Sequence, residues 1–228
     1  MYDYNMKKLY IFGAGEFAFL AYQYFLEEGA YEFVGFVVDE EFISRKVHTE
    51  TGMPIFVFKD VKDFMRRDDC AVFVAISASR MNTDRQNVYE KLKTLGCKFA
   101  SYISPMAYVS RNARLGENVF VFEENVIQSG VTIGANSVLW SGNHIGHQTQ
   151  VGSHVFFSSH VVVSGFCTIE DNCYFGVNST IVDHIKVSHA TLVGAASLIL
   201  KETECDSVYV GSPAKKIEDK DPYSIIFR

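Results

Sequence analysis

From Val109 to Ile199 every sixth residue is Val, Ile, Leu or Phe, sixteen positions without a gap that run through Val121, Ile145, Val163 and Ile181. Helices do not repeat at six, whereas a short strand followed by a turn can. Four residues after many of these anchors stands a small or β-branched residue, as at Val131, Ser137, Thr149, Cys173 and Ser179, and glycine often follows the anchor itself, as at Gly134, Gly146 and Gly194. Side chains alternate along a strand, so an anchor and the residue two before it face one interior. Three such strands close a triangular coil of 18 residues, and anchors 18 apart, such as Val109, Ile127, Ile145 and Val163, share a face. Stacked coils bury a continuous apolar column while main-chain groups pair between coils. The pattern predicts a parallel β-helix, a hexapeptide-repeat solenoid, over residues 104–211. Residues 212–228 follow as a C-terminal tail, whose close, Tyr223-Ser224-Ile225-Ile226-Phe227-Arg228, is too apolar for a solvated end and is expected to pack on the helix or a neighbour. Trp140 follows anchor Leu139 with outward parity, so it lies outside the column and covers a ligand or a subunit contact.

Residues 1–103 read differently. Lys7–Phe12 is a short apolar run that ends in Gly13-Ala14-Gly15-Glu16-Phe17-Ala18, a G-x-G-x-x-A sequence opening a helix-length segment stopped by Gly29. A second strand, Phe33–Val38, ends in Asp39 and Glu40; Ala71–Ile76 reads as a buried strand, Asp84–Leu95 as a helix closed by Gly96, and Lys98–Ile103 as a last strand. Strand, glycine turn, helix, strand and acid in that order make an α/β, Rossmann-like mononucleotide-binding unit. In the functional reading the turn amides approach a pyrophosphate and Asp39 or Glu40 accepts from ribose or base. In the plain reading the glycines only let strand and helix pack. No second βαβ half follows, which argues against a nicotinamide enzyme and for some other nucleotide.

Composition narrows the partners. Twenty-one Lys and Arg against 27 Asp and Glu leave a net charge of −6, the wrong sign for a protein that binds nucleic acid along its surface. Anionic ligands must then be held by local donors. The five cysteines lack CxxC spacing, so reduced thiols in the cytoplasm and no zinc or other metal site are expected. Met1–Tyr10 offers no leader pattern, and nowhere do 18 uncharged apolar residues follow one another, so a soluble, unprocessed chain without a membrane segment is expected.

The glycine-turn unit, the hexads, the segment Asn143-His144-Ile145-Gly146-His147 and the close Val210-Gly211-Ser212-Pro213-Ala214-Lys215-Lys216 together resemble one family across nearly the whole chain. It is the bacterial nucleotide-sugar N-acyltransferases of the PglD type, related to the NeuD sialic acid O-acetyltransferases. The resemblance implies a left-handed β-helix, a homotrimer with acetyl-CoA in the cleft between neighbouring helices, and a nucleotide-linked amino sugar held by the N-terminal domain. The expected activity is N-acetylation of a 4-amino-4,6-dideoxy sugar for O-antigen, capsule or glycan assembly. Two other readings stand beside it: sialic-acid-type O-acetylation, and a non-catalytic nucleotide-sugar-binding scaffold.

The resemblance places the catalytic base on His147, with His144 and His160 in reserve; without it, His147 reads as a surface histidine at a solenoid corner. The family's acid after that histidine is replaced by Gln148, which orients an imidazole but adds no charge, so a carboxylate such as Asp183 substitutes in space or His147 mainly orients the amine. His154, His184 and His189 read as solvated corners. Nucleotide-sugar contacts carry over to Gly15, Glu16, Phe17, Asp39, Glu40, Ser79 and Arg85, the last as a bidentate diphosphate partner or, alternatively, a surface arginine at a helix start. Acetyl-CoA contacts carry over to Phe156, Val177 and Ala195. Lys215 and Lys216 are the expected partners of its 3′-phosphate, or else a basic patch at the solenoid cap.

Overall fold

A computed structural model describes residues 6–225, so Ile226, Phe227 and Arg228 of the expected apolar tail lie outside the described residues. The chain forms two compact units. One takes residues up to Ser77 together with Asn87–Ser101, and the other takes Ala78–Gln86 together with Tyr102 onward. The expected single cut after residue 103 therefore gives way to a discontinuous division. The reason is that Ala78–Gln86 makes hydrogen bonds and apolar contacts inside the second unit: Asn82 Nδ2 reaches the main-chain oxygens of Asn172 and Cys173 at 3.3 and 3.2 Å, and Met81 packs on Leu192 and Val208.

In the first unit β1 (Lys7–Phe12), β2 (Tyr31–Val38), β3 (Ile55–Val57) and β4 (Cys70–Val74) form a parallel sheet in the order β3-β2-β1-β4. Helix α1 (Glu16–Glu28) buries Phe17, Ala18, Ala21 and Phe25, a stripe at helical spacing. It ends where Gly29 turns left-handed at φ 68° and donates its N–H to Phe25 O. The turn before α1 depends on Gly13. Its φ is 122°, and a Cβ there would lie 2.6 Å from the oxygen of Ala75. Helix α2 (Phe58–Met65) lies in this unit, and so does α3 (Thr83–Thr94) from Asn87 on.

In the second unit two-residue strands repeat every 18 residues on three faces, each pairing in parallel with the equivalent strand one coil on, as His144–Ile145 does with Val126–Ile127 and Val162–Val163. Many parallel strands in three stacked sheets fit the expected β-helix. Its first coil begins at Tyr102–Ile103, which pairs with Phe120–Val121, and the start of the tail pairs back on the solenoid, with Lys215–Ile217 antiparallel to Val208–Val210. The interior is the expected column, with Ile127, Leu139, Ile145, Phe157, Val163 and Phe175 fully buried. The small residues four after the anchors also link successive coils, since Ser137 and Thr149 accept from the N–H groups of Val155 and Cys167 one coil on, at 3.2 and 3.3 Å.

Positive φ recurs every six residues from Asn118 to Ala196, which turns each corner. Asparagine suits the left-handed region, but Gln148, His154, His160, Phe166 and His184 hold it too. One outer face is also covered. Phe120, Val138, Phe156, Leu192 and Val208 are all buried, and Tyr223 and Ile225 of the tail join Met81 against this face. Trp140 belongs to the same surface, where it stacks on Phe122 at 4.7 Å and 11°. Among the described residues no helix is long and apolar enough to cross a membrane.

Candidate functional site

His147 stands at a solenoid corner, between the strand His144–Ile145 and the left-handed Gln148, and its side chain is exposed. Three groups define the ring's position. Gln128 Oε1 accepts the main-chain N–H of His147 at 2.9 Å and lies 3.2 Å from its Nδ1. Phe166 meets the ring edge to face at 5.0 Å. Gly165 lies beneath it, where a Cβ would come within 2.7 Å of the imidazole Cε1. The reserve histidines are placed differently. His144 is half-buried within a paired strand, and His160 lies over Gly142 at another corner.

Neither expected partner of His147 takes that place. The side chain of Gln148 lies over Gly130, one coil back. Asp183 is exposed and lies 3.8 Å from Nε2 of His184, whose ring stacks on Phe166 at 4.9 Å. The partner is Gln128. Its signal in the sequence is the coil length, because Ser129 stands one 18-residue coil before His147 and its neighbour Gln128 has outward parity after anchor Ile127. His154 is no solvated corner. It is 4% exposed, and its Nδ1 lies 2.8 Å from Asn136 Nδ2 in a ladder that continues from Asn136 Oδ1 to Asn118 Nδ2 at 2.7 Å.

The expected acetyl-CoA positions separate. Val177 is 43% exposed and Ala195 and Ala196 are exposed, and the N–H of Ala196 donates to Val177 O at 2.8 Å, so these three residues form one open stretch of corner. Phe156 is instead buried, stacked on Tyr174 at 5.4 Å with the Arg85 guanidinium 6.0 Å from its ring centre. Lys216 is held by Glu204 at 2.7 Å, and that carboxylate keeps its ammonium above the ordinary lysine value. Lys215, on the same strand, is exposed and makes no ion pair among the described residues. Among the described residues no group of three or more His, Cys, Asp or Glu side chains is placed to hold a metal ion.

Arg85 requires the largest correction. It is fully buried, with Nε donating to Asn136 O at 3.1 Å and a terminal nitrogen to His154 O at 3.4 Å. Burial lowers the guanidinium to about 9, so it is cationic at neutral pH but committed to main-chain oxygens of the solenoid. Ser79, in the same segment, donates to Asp84 Oδ2 at 2.8 Å. Both residues belong to the second unit, whereas the other expected nucleotide contacts belong to the first.

In the first unit a cavity of about 250 Å³ lies against the glycine turn, lined by Ala14, Gly15, Val38, Phe42, Ser44, Arg45 and Ile55. Gly15 and Glu16 are exposed at the start of α1, whereas the ring of Phe17 packs on Phe73 at 6.1 Å. Asp39 is paired through both oxygens to Lys91 at 2.8 Å, whereas Glu40 is paired to Lys59 at the surface and stays exposed. Lys91 is in turn held over the rings of Phe58 and Phe12, at 4.4 and 4.9 Å. Motif reading missed Phe42, Ser44 and Arg45. The visible signal was an aromatic and a cation shortly after the strand-end acids. His48 is buried between Phe19 and Phe36, and burial holds its imidazole below the ordinary value.

No family model matches the chain. Among curated proteins it is 28% identical over 71 residues to an acyl-[acyl-carrier-protein]–UDP-N-acetylglucosamine O-acyltransferase of Paracoccus denitrificans, covering 31% of this chain and only 27% of that protein's length. Solved structures match far more of it. PerB from Caulobacter crescentus, in complex with CoA and GDP-perosamine, is 22% identical with a TM-score of 0.81 over 92% of this chain and 97% of that one. The acetyltransferase domain of PglB from Neisseria gonorrhoeae is 21% identical with a TM-score of 0.81 over 92% of this chain and 100% of that one. Nearly the whole of the described chain thus has the fold of these bacterial proteins.

Proposed function

We propose that the chain is an acetyl-CoA-dependent N-acetyltransferase of the PglD/NeuD-like sugar acyltransferases, acting on the amino group of a nucleotide-linked 4-amino-4,6-dideoxy sugar. The observation that carries this reading is the exposed imidazole of His147 at a solenoid corner, set over Gly165 and against Gln128 and Phe166. The shared fold supports it, because PerB binds CoA and GDP-perosamine on that fold. In this reading the first unit is Rossmann-like and its cavity takes the nucleotide. Gly15 and Glu16 at the α1 start supply main-chain donors, and Arg45 replaces Arg85 as the local cation.

Acetyl-CoA supplies an acyl carbon activated as a thioester. Val177, Ala195 and Ala196 suit its pantetheine arm, and Lys215 suits its 3′-phosphate. His147 takes the proton that the sugar nitrogen gives up as the amide forms and the carbon–sulfur bond breaks, so CoA leaves as the thiol form after reprotonation. No cysteine or serine at the corner is needed as a nucleophile. Val162, Phe166 and Leu200 are exposed along the same face and corner as His147, at 38, 49 and 47%, an apolar surface that suits a second copy of the chain packed beside this site. In this reading the solenoid is left-handed, the assembly is a homotrimer and its compartment is the cytoplasm. The neutral Gln128 favours N- over O-acetylation, since a hydroxyl calls for a stronger base than a carboxamide-supported imidazole.

The test is thiol release from acetyl-CoA in the presence of UDP-, dTDP- and GDP-linked amino sugars. Release with at least one of them is expected. Release with none of them would reject the reading and favour a non-catalytic nucleotide-sugar binder.

A further inference from the structure

We propose that Gln128 is the positioning residue for His147 and that it fixes the imidazole as the tautomer carrying its proton on Nδ1, with Nε2 as the proton-accepting nitrogen. The inference rests on the reading of His147 as the base and adds to it the group that sets which nitrogen does the work.

A carboxamide can present either oxygen or NH2, and here the main chain decides. The His147 N–H can only donate, so the Gln128 atom 2.9 Å away must be the oxygen. The same oxygen lies 3.2 Å from Nδ1. An amide oxygen has two lone pairs and no proton, so it takes both contacts only if Nδ1 carries a hydrogen. A neutral imidazole has one N–H, which leaves the lone pair on Nε2.

The surroundings keep the ring where that bond can form. Gly165 admits the imidazole because it has no Cβ, and the Phe166 ring stands at 82° to it. Along this corner Asp183 and His184 lie 3.8 Å from each other, and His184 is on Phe166. Gln128 itself is half-buried and anchored by its main-chain N–H to Ile145 O at 3.0 Å, on the strand that leads into His147. Support by a neutral acceptor orients the ring without the charge that a carboxylate would add to its cationic form.

Long-range ¹H–¹⁵N spectra of the uniformly labelled full-length protein read the tautomer directly, with His147 assigned by its loss in His147→Ala. The wild type is expected to show a protonated Nδ1, and Gln128→Leu a shift of population toward protonated Nε2. In turnover, Gln128→Leu is expected to lower kcat roughly tenfold or more with KM little changed. Gln128→Glu is expected to restore most of the rate and to move the acid limb of the pH profile up by about one unit. A protonated Nε2 in the folded wild type, or an unchanged tautomer in folded Gln128→Leu, would overturn the proposal. Because the spectra need no turnover, absence of acetyl transfer would reject the catalytic reading of His147 and still leave the Gln128 assignment decided. A Gln128→Leu chain that fails to fold leaves the wild-type spectrum and the Gln128→Glu profile to decide it.

Discussion

Arg85 Nε donates to the main-chain oxygen of Asn136 at 3.1 Å while a terminal nitrogen of the same guanidinium reaches that of His154 at 3.4 Å, spanning two corners one coil apart. The residue expected to grip a diphosphate is instead a fastener for Ala78–Gln86 on the solenoid. Arg85→Met leaves both oxygens without this donor, at roughly 1–3 kcal/mol each. Urea unfolding is expected to show the variant destabilised by about 2–5 kcal/mol. Arg85→Lys should recover little, because a single ammonium does not reproduce the planar fork. Stability equal to wild type in Arg85→Met would remove this role.

Gly13→Ala puts a methyl group 2.6 Å from Ala75 O on a backbone with φ 122°. The strain should cost about 1–3 kcal/mol and displace the turn that borders the cavity. Weaker binding of a nucleoside diphosphate, measured by calorimetry on the folded variant, is the expected result, and unchanged affinity would place the nucleotide elsewhere.

The coil was legible because its signal is additive: each inward anchor repeats one bit of information, and sixteen of them leave no rival period. Arg85 misled for the opposite reason. A cation after a glycine-poor loop looks like an anion partner, and nothing local reveals that the carbonyls of Asn136 and His154 need a donor 51 and 69 residues away. Asp39 stood where a ribose-binding acid would stand, yet Lys91 holds both its oxygens from another element. Gln128 was within reach of the 18-residue register, but only the folded corner brings its oxygen, and not that of Gln148, to His147.

Thiol reactivity should follow burial. Cys70, Cys97, Cys167 and Cys173 are buried, and burial pushes Cys173 up to about 12, whereas Cys205 is exposed. Titration with an aromatic disulfide reagent at neutral pH is expected to find one fast thiol in the native chain and all five after denaturation. Two or more fast native thiols would contradict the burial of these four cysteines.

The tail contributes a pH signature. Burial, with the hydrogen bond to Asp206 at 2.7 Å, raises the Tyr223 phenol to about 12 from an ordinary value of 10.0. Between these values the unfolded chain has lost that proton and the folded chain keeps it, so stability falls as pH rises. The stability difference between wild type and Tyr223→Phe should be largest below pH 10 and shrink toward 12. A difference that grows over this range would mean that Tyr223 is not held as described.

The proposed chemistry turns on His147. With a nucleotide-linked amino sugar that releases CoA in the wild type, kcat/KM of His147→Ala measured on a folded protein should fall by about 10² to 10⁴. A value within a few-fold of wild type would contradict the central claim and move the base to His144 or His160.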